Sequence, residues 1–391
     1  NKDKYSFLFK DVKEYNKYLL TLVCCSILVL TGIISYTVTN SYAKWSSSYT
    51  SNNTLKLSVK LPNIDKSGAN PPSLLSNMIP VYYDDTNSVW KKADSNNSDE
   101  NYKWYDYNDK MWANAVTVKS ANRNTYLNAK AGTTIPMDDI NTMWVWIPRY
   151  TYTYLNTNTP QEINIKFESG TNSTGTIKCV DAVTGTSSTS ETCTDETNGS
   201  LIAGTSTYTH PAFWWDKDDD NVRETGEELT GIWVGKFEVS SDTTCTPSNE
   251  AAVGSGCNLQ TIRPQIKPNV TSWRGAQVGT FFNGIQKMRE SGNQYGFSTT
   301  DETHMMKNME WGAVTYLSHS KYGINKEIAK NSQDTYTTGC GPQSEGSRSS
   351  GATCNGYTTT LGQSASTTGN VSGVYDMSGG AWEYMMGNMV N

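Results

Sequence analysis

Gly373-Val374-Tyr375-Asp376-Met377-Ser378-Gly379-Gly380-Ala381-Trp382-Glu383-Tyr384 crowds glycines, aromatic rings and carboxylates into one short stretch. A carboxylate beside a buried ring is costly unless it is paired, hydrogen-bonded or bound to a cation. Asp376 and Glu383 both stand next to large apolar residues, so this segment calls for a built environment. Upstream of it, Met305, Met309, Ala313 and Leu317 form one apolar helical stripe, preceded by Thr299 and Glu302 in capping-box spacing. Val278, Phe281, Phe282, Ile285 and Met288 recur at helical spacing before that. Ile232 to Val239 and Met143 to Pro148 read as buried strands.

The 391 residues carry 32 Lys+Arg against 38 Asp+Glu, a formal net charge of −6, which argues against a nucleic-acid-binding surface as the main function. Hydrophobic residues make up 36%, enough for a real core, while only 18% are charged. Ser, Thr, Asn, Gly and Tyr must therefore build much of the surface, as in β-rich extracellular proteins. The first residue is not Met and the last is Asn391, which leads to the expectation of a fragment.

One run, Leu19 to Val38, is apolar and uncharged. As a helix it rises about 30 Å, the thickness of a bilayer's hydrocarbon core. Lysines at 2, 4, 10, 13 and 17 precede it, which keeps the N-terminus inside and sends the rest outward. The run is either an uncleaved signal anchor or a signal peptide cut after Ala43, giving a membrane-bound or a secreted protein. Cys24 and Cys25 fall within it. The other six cysteines form three neighbouring pairs, Cys179 with Cys193, Cys245 with Cys257, and Cys340 with Cys354, each in a Gly/Ser/Thr-rich loop. Local bridges are the economical pairing, each contributing on the order of 3 kcal/mol in the chain-entropy model. Persistent bridges fit an oxidising compartment.

Between the membrane run and Ile140 lie a polar linker, an alternating strand (Leu55, Leu57, Val59, Leu61) and an aromatic-rich stretch with Tyr82, Tyr83, Trp90, Trp104, Tyr105, Tyr107 and Trp112. The rings can form an exposed stacking row for sugars or the core of a small β domain, and the core reading is preferred. The expected organisation is a stub and anchor over 1–43, a linker and small β domain over 44–139, and a further domain over 140–391.

The order of the later pieces resembles the formylglycine-generating enzymes, or sulfatase-modifying-factor domains. Residues 373–384 are similar to that family's G-L-Y-D-M-x-G-N-V-W-E-W signature, with Gly373, Tyr375, Asp376, Met377, Gly379, Trp382 and Glu383 in matching places and Gly380 where the family has Asn. Trp233 to Ser240, Asn269 to Phe282, Met309 to Ala313 and Met143 to Pro148 resemble further family segments in the family order. The resemblance implies an α+β fold over 140–391, a variant of the C-type lectin fold with disulfide-stapled loops. It also implies burial of Tyr375, Met377 and Trp382, and a Glu383 that accepts backbone N–H bonds or holds a metal ion; the alternative is a Glu383 that points to solvent. Related domains serve as ligand-binding surface proteins of bacteria and phages. The family's copper-binding cysteines lie after the signature, beyond Asn391.

The expected function is therefore binding of an extracellular glycan or protein at the cell surface, without catalysis and without nucleic acid. The alternatives are a copper-dependent oxidase of the formylglycine-generating type, or a structural surface component. One cofactor is expected, calcium. Asp216, Asp218, Asp220 and Glu227 occupy positions 1, 3, 5 and 12 of an EF-hand-like loop, a spacing of hard oxygen ligands that can wrap one ion; the alternative is a solvated acidic turn. His304 and His319 read as surface or capping histidines.

Overall fold

The structure is a computed structural model. It describes residues 63–153, 161–176, 207–217, 226–243 and 257–386, and the backbone alone of four short strands. The chain divides into two units, Asn1–Asn63 and Ile64–Asn391. In the first, β1 (Trp45–Tyr49) and β2 (Leu55–Val59) form an antiparallel hairpin with Trp45 opposite Val59. The run Leu19 to Val38 lies outside the described residues; among those described, no helix is long and apolar enough to cross a membrane.

The second unit mixes α and β structure, with antiparallel sheets. Its main sheet has five strands in the order β12-β6-β5-β3-β4: β3 (Ile79–Asp84), β4 (Val89–Lys92), β5 (Asn114–Val118), β6 (Ile140–Pro148) and β12 (Gly231–Gly235). The boundary expected between 139 and 140 is not there. Ala115 faces Trp144 and Val116 faces Met143 across the β5–β6 ladder. Every residue of β5 is buried, so this strand needs a neighbour on both edges and cover on both faces, which a small separate domain could not supply.

The smaller elements surround this sheet. Helix α1 (Ser120–Asn128) follows β5. Strands β7 (Tyr150–Thr153) and β8 (Asn164–Phe167) pair with β11 (Thr207–Thr209) in a second sheet. The two-residue strands β9 (Cys179–Val180) and β10 (Ser187–Ser188), and β13 (Ser240–Ser241) and β14 (Pro264–Gln265), make short ladders. Helices α2 (Val278–Gln286) and α3 (Asn308–Ser318) come next. Strands β15 (Cys340–Gly341) and β16 (Asn355–Gly356) pair beneath α4 (Thr360–Ser364). The α3 helix begins later than its spacing suggests. Glu302 is drawn to Arg289 at 2.5 Å, and the capping carboxylate is Glu310, whose Oε2 accepts the Lys307 N–H at 2.7 Å.

The aromatic stretch is core. Trp90, Trp104, Tyr105, Tyr107 and Trp112 are buried, and their polar edges find partners. The Trp104 indole donates to the Asn114 carbonyl, Tyr107 to that of Trp146, and Trp112 to that of Tyr322. Trp90 donates to Tyr357, far along the chain. The expected bridge Cys340–Cys354 is formed. Cys257 is buried; Cys193, Cys245 and the Cys179 side chain lie outside the described residues, and so do the two pairings that need them.

Arg149 and Lys236 are wholly enclosed. Arg149 donates to Glu168 (2.8 Å) and Glu228 (2.5 Å) and to the Phe213 carbonyl. Lys236 donates to the carbonyls of Val371 and Gly373 at 2.6 and 2.7 Å, with its Nζ 5.3 Å from the centroids of the Trp90 and Tyr375 rings. Burial lowers its pKa far below the lysine range.

His210 sits among Tyr150, Tyr152, Phe213 and Tyr316, and its Nδ1 accepts the Ala212 N–H. Burial pushes its pKa down to about 3. The ring is neutral in the fold and protonates in the unfolded chain, so its contribution is complete above the unfolded pKa and is lost as pH falls toward the folded one. Urea titrations should show wild type losing about 2 kcal/mol more stability between pH 6.5 and 5 than His210→Asn does. Equal losses would mean that the ring takes up its proton in the folded state.

Candidate functional site

Strands β6 and β12 place Trp144, Trp146 and Trp233 together at one end of the main sheet. Trp144 and Trp146 are two apart and share a face; Trp233 pairs with Trp146 across the ladder, with ring centroids 5.3 Å apart. Gly231 makes this possible, because a Cβ there would stand 2.4 Å from the Trp146 ring. Trp273 packs edge-on to Phe281 of α2 at 4.8 Å. The indole N–H groups are tied back: Trp144 to Thr142, Trp146 to Asn70, Trp233 to Ser73 and Trp273 to Cys257. Together with Phe297 these rings wall an open cleft of about 590 Å³. That volume lies within the range of small-molecule sites.

The 373–384 stretch forms the other side. Tyr375 is buried, with its hydroxyl on the Tyr357 carbonyl, and Met377 is half-buried. Asp376 is buried in the left-handed conformation (φ 63°) and accepts N–H bonds from Asn331, Gly339 and Glu238. The chain then passes over Glu238 at Gly380, where a Cβ would stand 2.3 Å from the Glu238 Oε1. Residues 381–385 line the mouth of the cleft. Gly380 donates to Asn331 at one end of this segment, and Met386 pairs with Met306 and Asn308 at the other.

Trp382 does not fill the core as expected. It is 99% exposed, and Tyr384 is 60% exposed. The reason is local: the strap is anchored at both ends, and the sheet's own tryptophans already occupy the interior. Trp382→Ala should therefore shift stability by no more than about 0.5 kcal/mol. A cavity-sized loss in a thermal melt would contradict this placement. Glu383 is exposed as well, and among the described residues no backbone N–H bonds to it.

Three carboxylates converge electrostatically here. Burial pushes the Glu238 carboxyl well up, reinforced by the negative charges of Asp376 and Glu383; Ser272 and, more weakly, the Ala381 amide oppose this. Burial raises Asp376 to about 6 against its three N–H donors. Desolvation in the cleft, then Asp376, raises Glu383 to about 7, a shift tempered by the water its side chain still meets. Glu238 Oε2 contacts the Ser272 hydroxyl, while Oε1 is buried and closes no hydrogen bond, the nearby Ala381 amide lying outside hydrogen-bond geometry.

Of the expected calcium residues, Asp216 and Glu227 are among the described ones. Asp218 and Asp220 lie outside the described residues, and Asp216 lies beside them. Glu227 is buried and accepts the Trp214 indole N–H and the Lys217 amide, at 2.9 and 3.0 Å, closing the loop on itself. Among the described residues no three acidic, histidine or cysteine side chains come close enough to share an ion. His304 is in the cleft, not on an outer surface. Its Nε2 meets Glu310 at 2.8 Å, and its buried Nδ1 closes no hydrogen bond. Helical spacing from Glu310 back to His304 gives no hint of this pair, because the contact crosses the turn that starts α3.

Comparison of the chain with protein-family models, curated proteins and solved structures finds no match.

Proposed function

We propose that this chain is a non-enzymatic recognition protein of the cell surface. It takes its extracellular ligand, a glycan or a protein segment, in the cleft between the β6–β12 tryptophans and the 381–386 strap. The observation that carries this reading is the cleft itself, an open apolar space with aromatic walls and with Trp382 and Tyr384 exposed at its rim. The indole N–H groups of these walls are tethered, and rings with flat apolar faces and polar edges suit sugar rings and peptide side chains alike. We place the part of the second unit that starts at β6 with C-type-lectin-like domains, on the motifs of 373–384 and the segments before it. The apolar run Leu19 to Val38 is the membrane anchor or export signal.

Arrays of glycans and of peptides, probed with wild type and with Trp382→Ala, test the reading. Binding by wild type that falls at least about tenfold in the variant, at unchanged melting temperature, supports it. Wild-type binding that survives in the variant together with Tyr384→Ala and Trp273→Ala would place the ligand elsewhere.

A further inference from the structure

Resting on the reading of the cleft as a ligand site, we infer that its ligand carries a primary ammonium group, held at Glu238 and Glu383 while the aromatic walls take the rest. Carboxylates dominate the ionisable part of the lining: Glu228, Glu238, Asp301, Glu302, Glu310 and Glu383, against Lys307 and His304 among the described residues. Arg149 compensates Glu228, Arg289 compensates Glu302, and His304 and the Lys307 amide occupy Glu310. Asp301, Glu238 and Glu383 have no cationic partner among the ion pairs of the described residues, and Asp301 accepts the Ser298 amide instead. Glu238 and Glu383 lie beside Trp273 and Trp382 on the cavity wall.

The second observation is the buried oxygen. Glu238 is 7% exposed, lines the cleft, and its Oε1 closes no hydrogen bond. An unsatisfied buried acceptor is costly, and a donor that also brings positive charge relieves both the missing bond and the repulsion from neighbouring carboxylates. A primary ammonium has three N–H donors and is attracted by the faces of tryptophan rings. A neutral hydroxyl supplies the bond without the charge. Two sources present this chemistry, an amino sugar with a free amine and a lysine side chain, and a single sugar ring or lysine stem fits the cavity.

Tryptophan fluorescence of the full-length protein, titrated with four probes, tests this. The probes are glucosamine, N-acetylglucosamine, Nα-acetyl-lysine amide and the same amide acetylated at Nε, with calcium chloride alone as a fifth titration. At least one free amine should bind about tenfold more tightly than its acetylated partner. Glu383→Gln, at an exposed position that leaves folding intact, should cut that preference severalfold and leave the acetylated probe's affinity unchanged. Glu238→Gln should do the same wherever it folds. Preference within the sugar pair assigns a glycan source, and preference within the lysine pair a protein source. Equal affinity for amine and acetylated probes overturns the inference while leaving the cleft a binding site. Saturable calcium binding that excludes the amines also overturns it, by giving the carboxylates to a metal. If no probe binds, the ammonium inference falls, and the array experiment still decides the proposed function.

Discussion

Arg149→Ala should destabilise the protein by about 3–5 kcal/mol, because it strands a carboxylate that has no access to water. Glu168 is as fully enclosed as Arg149 itself. With the guanidinium gone, Glu168 keeps only hydroxyl and amide donors from Thr174 and Thr209. The carbonyls of Phe213 and Leu229 also lose a donor, though Phe213 keeps the Leu229 N–H. The effect should be read from urea unfolding. Arg149→Met with Glu168→Leu, which removes both charges and refills the space, should recover much of the loss. A single substitution that costs under about 1 kcal/mol would mean that water reaches the pair.

Asp376→Ala should be comparably damaging, again about 3–5 kcal/mol, although the side chain is small. Three N–H groups converge on its carboxylate, from Asn331, Gly339 and Glu238, in a region closed to solvent. Each stranded buried donor costs roughly 1–3 kcal/mol. Asp376 also holds its segment in place, tying the chain after β12 to the loop at 331–339 just before the strap begins. The variant should therefore lose the order of the strap first, visible as faster amide exchange over residues 379–386. The pH dependence has a definite sign. A carboxyl raised to about 6 in the fold contributes stability that is complete below the unfolded aspartate pKa and is lost as pH rises through the folded value. The stability difference between wild type and Asp376→Ala should accordingly be larger at pH 4 than at pH 7.

Local patterns in the sequence located the elements but not their partners. The alternation and apolar content of Met143 to Pro148 mark β6, and of the helical pattern around α2 Ile285 lies on the buried side, Met288 in the turn that follows, and Val278 and Phe282 are exposed. The aromatic residues from Trp90 to Trp112 are core, as the preferred reading held. What could not be read locally was which strand lies beside which. The β5–β6 pairing joins residues on either side of an expected domain boundary, and only the complete burial of β5 explains it. Trp382 shows the same limit from the other side. Its neighbours suggest an interior ring, yet the tethers at Gly380 and Met386 hold it outward. One signal for the cleft was present in Trp144 and Trp146, two apart on one strand, with Trp233 on another, but their meeting depends on a cross-strand register.

Indole N–H resonances of the protein labelled at tryptophan with nitrogen-15, followed during titration with the strongest array ligand, test the central claim most directly. The cleft indoles, Trp233, Trp273 and Trp382, should shift together and saturate at one affinity, while the core indoles Trp104 and Trp112 stay fixed. Shifts that leave the cleft indoles unmoved while the ligand saturates the protein would contradict the assignment of this cleft as the binding site.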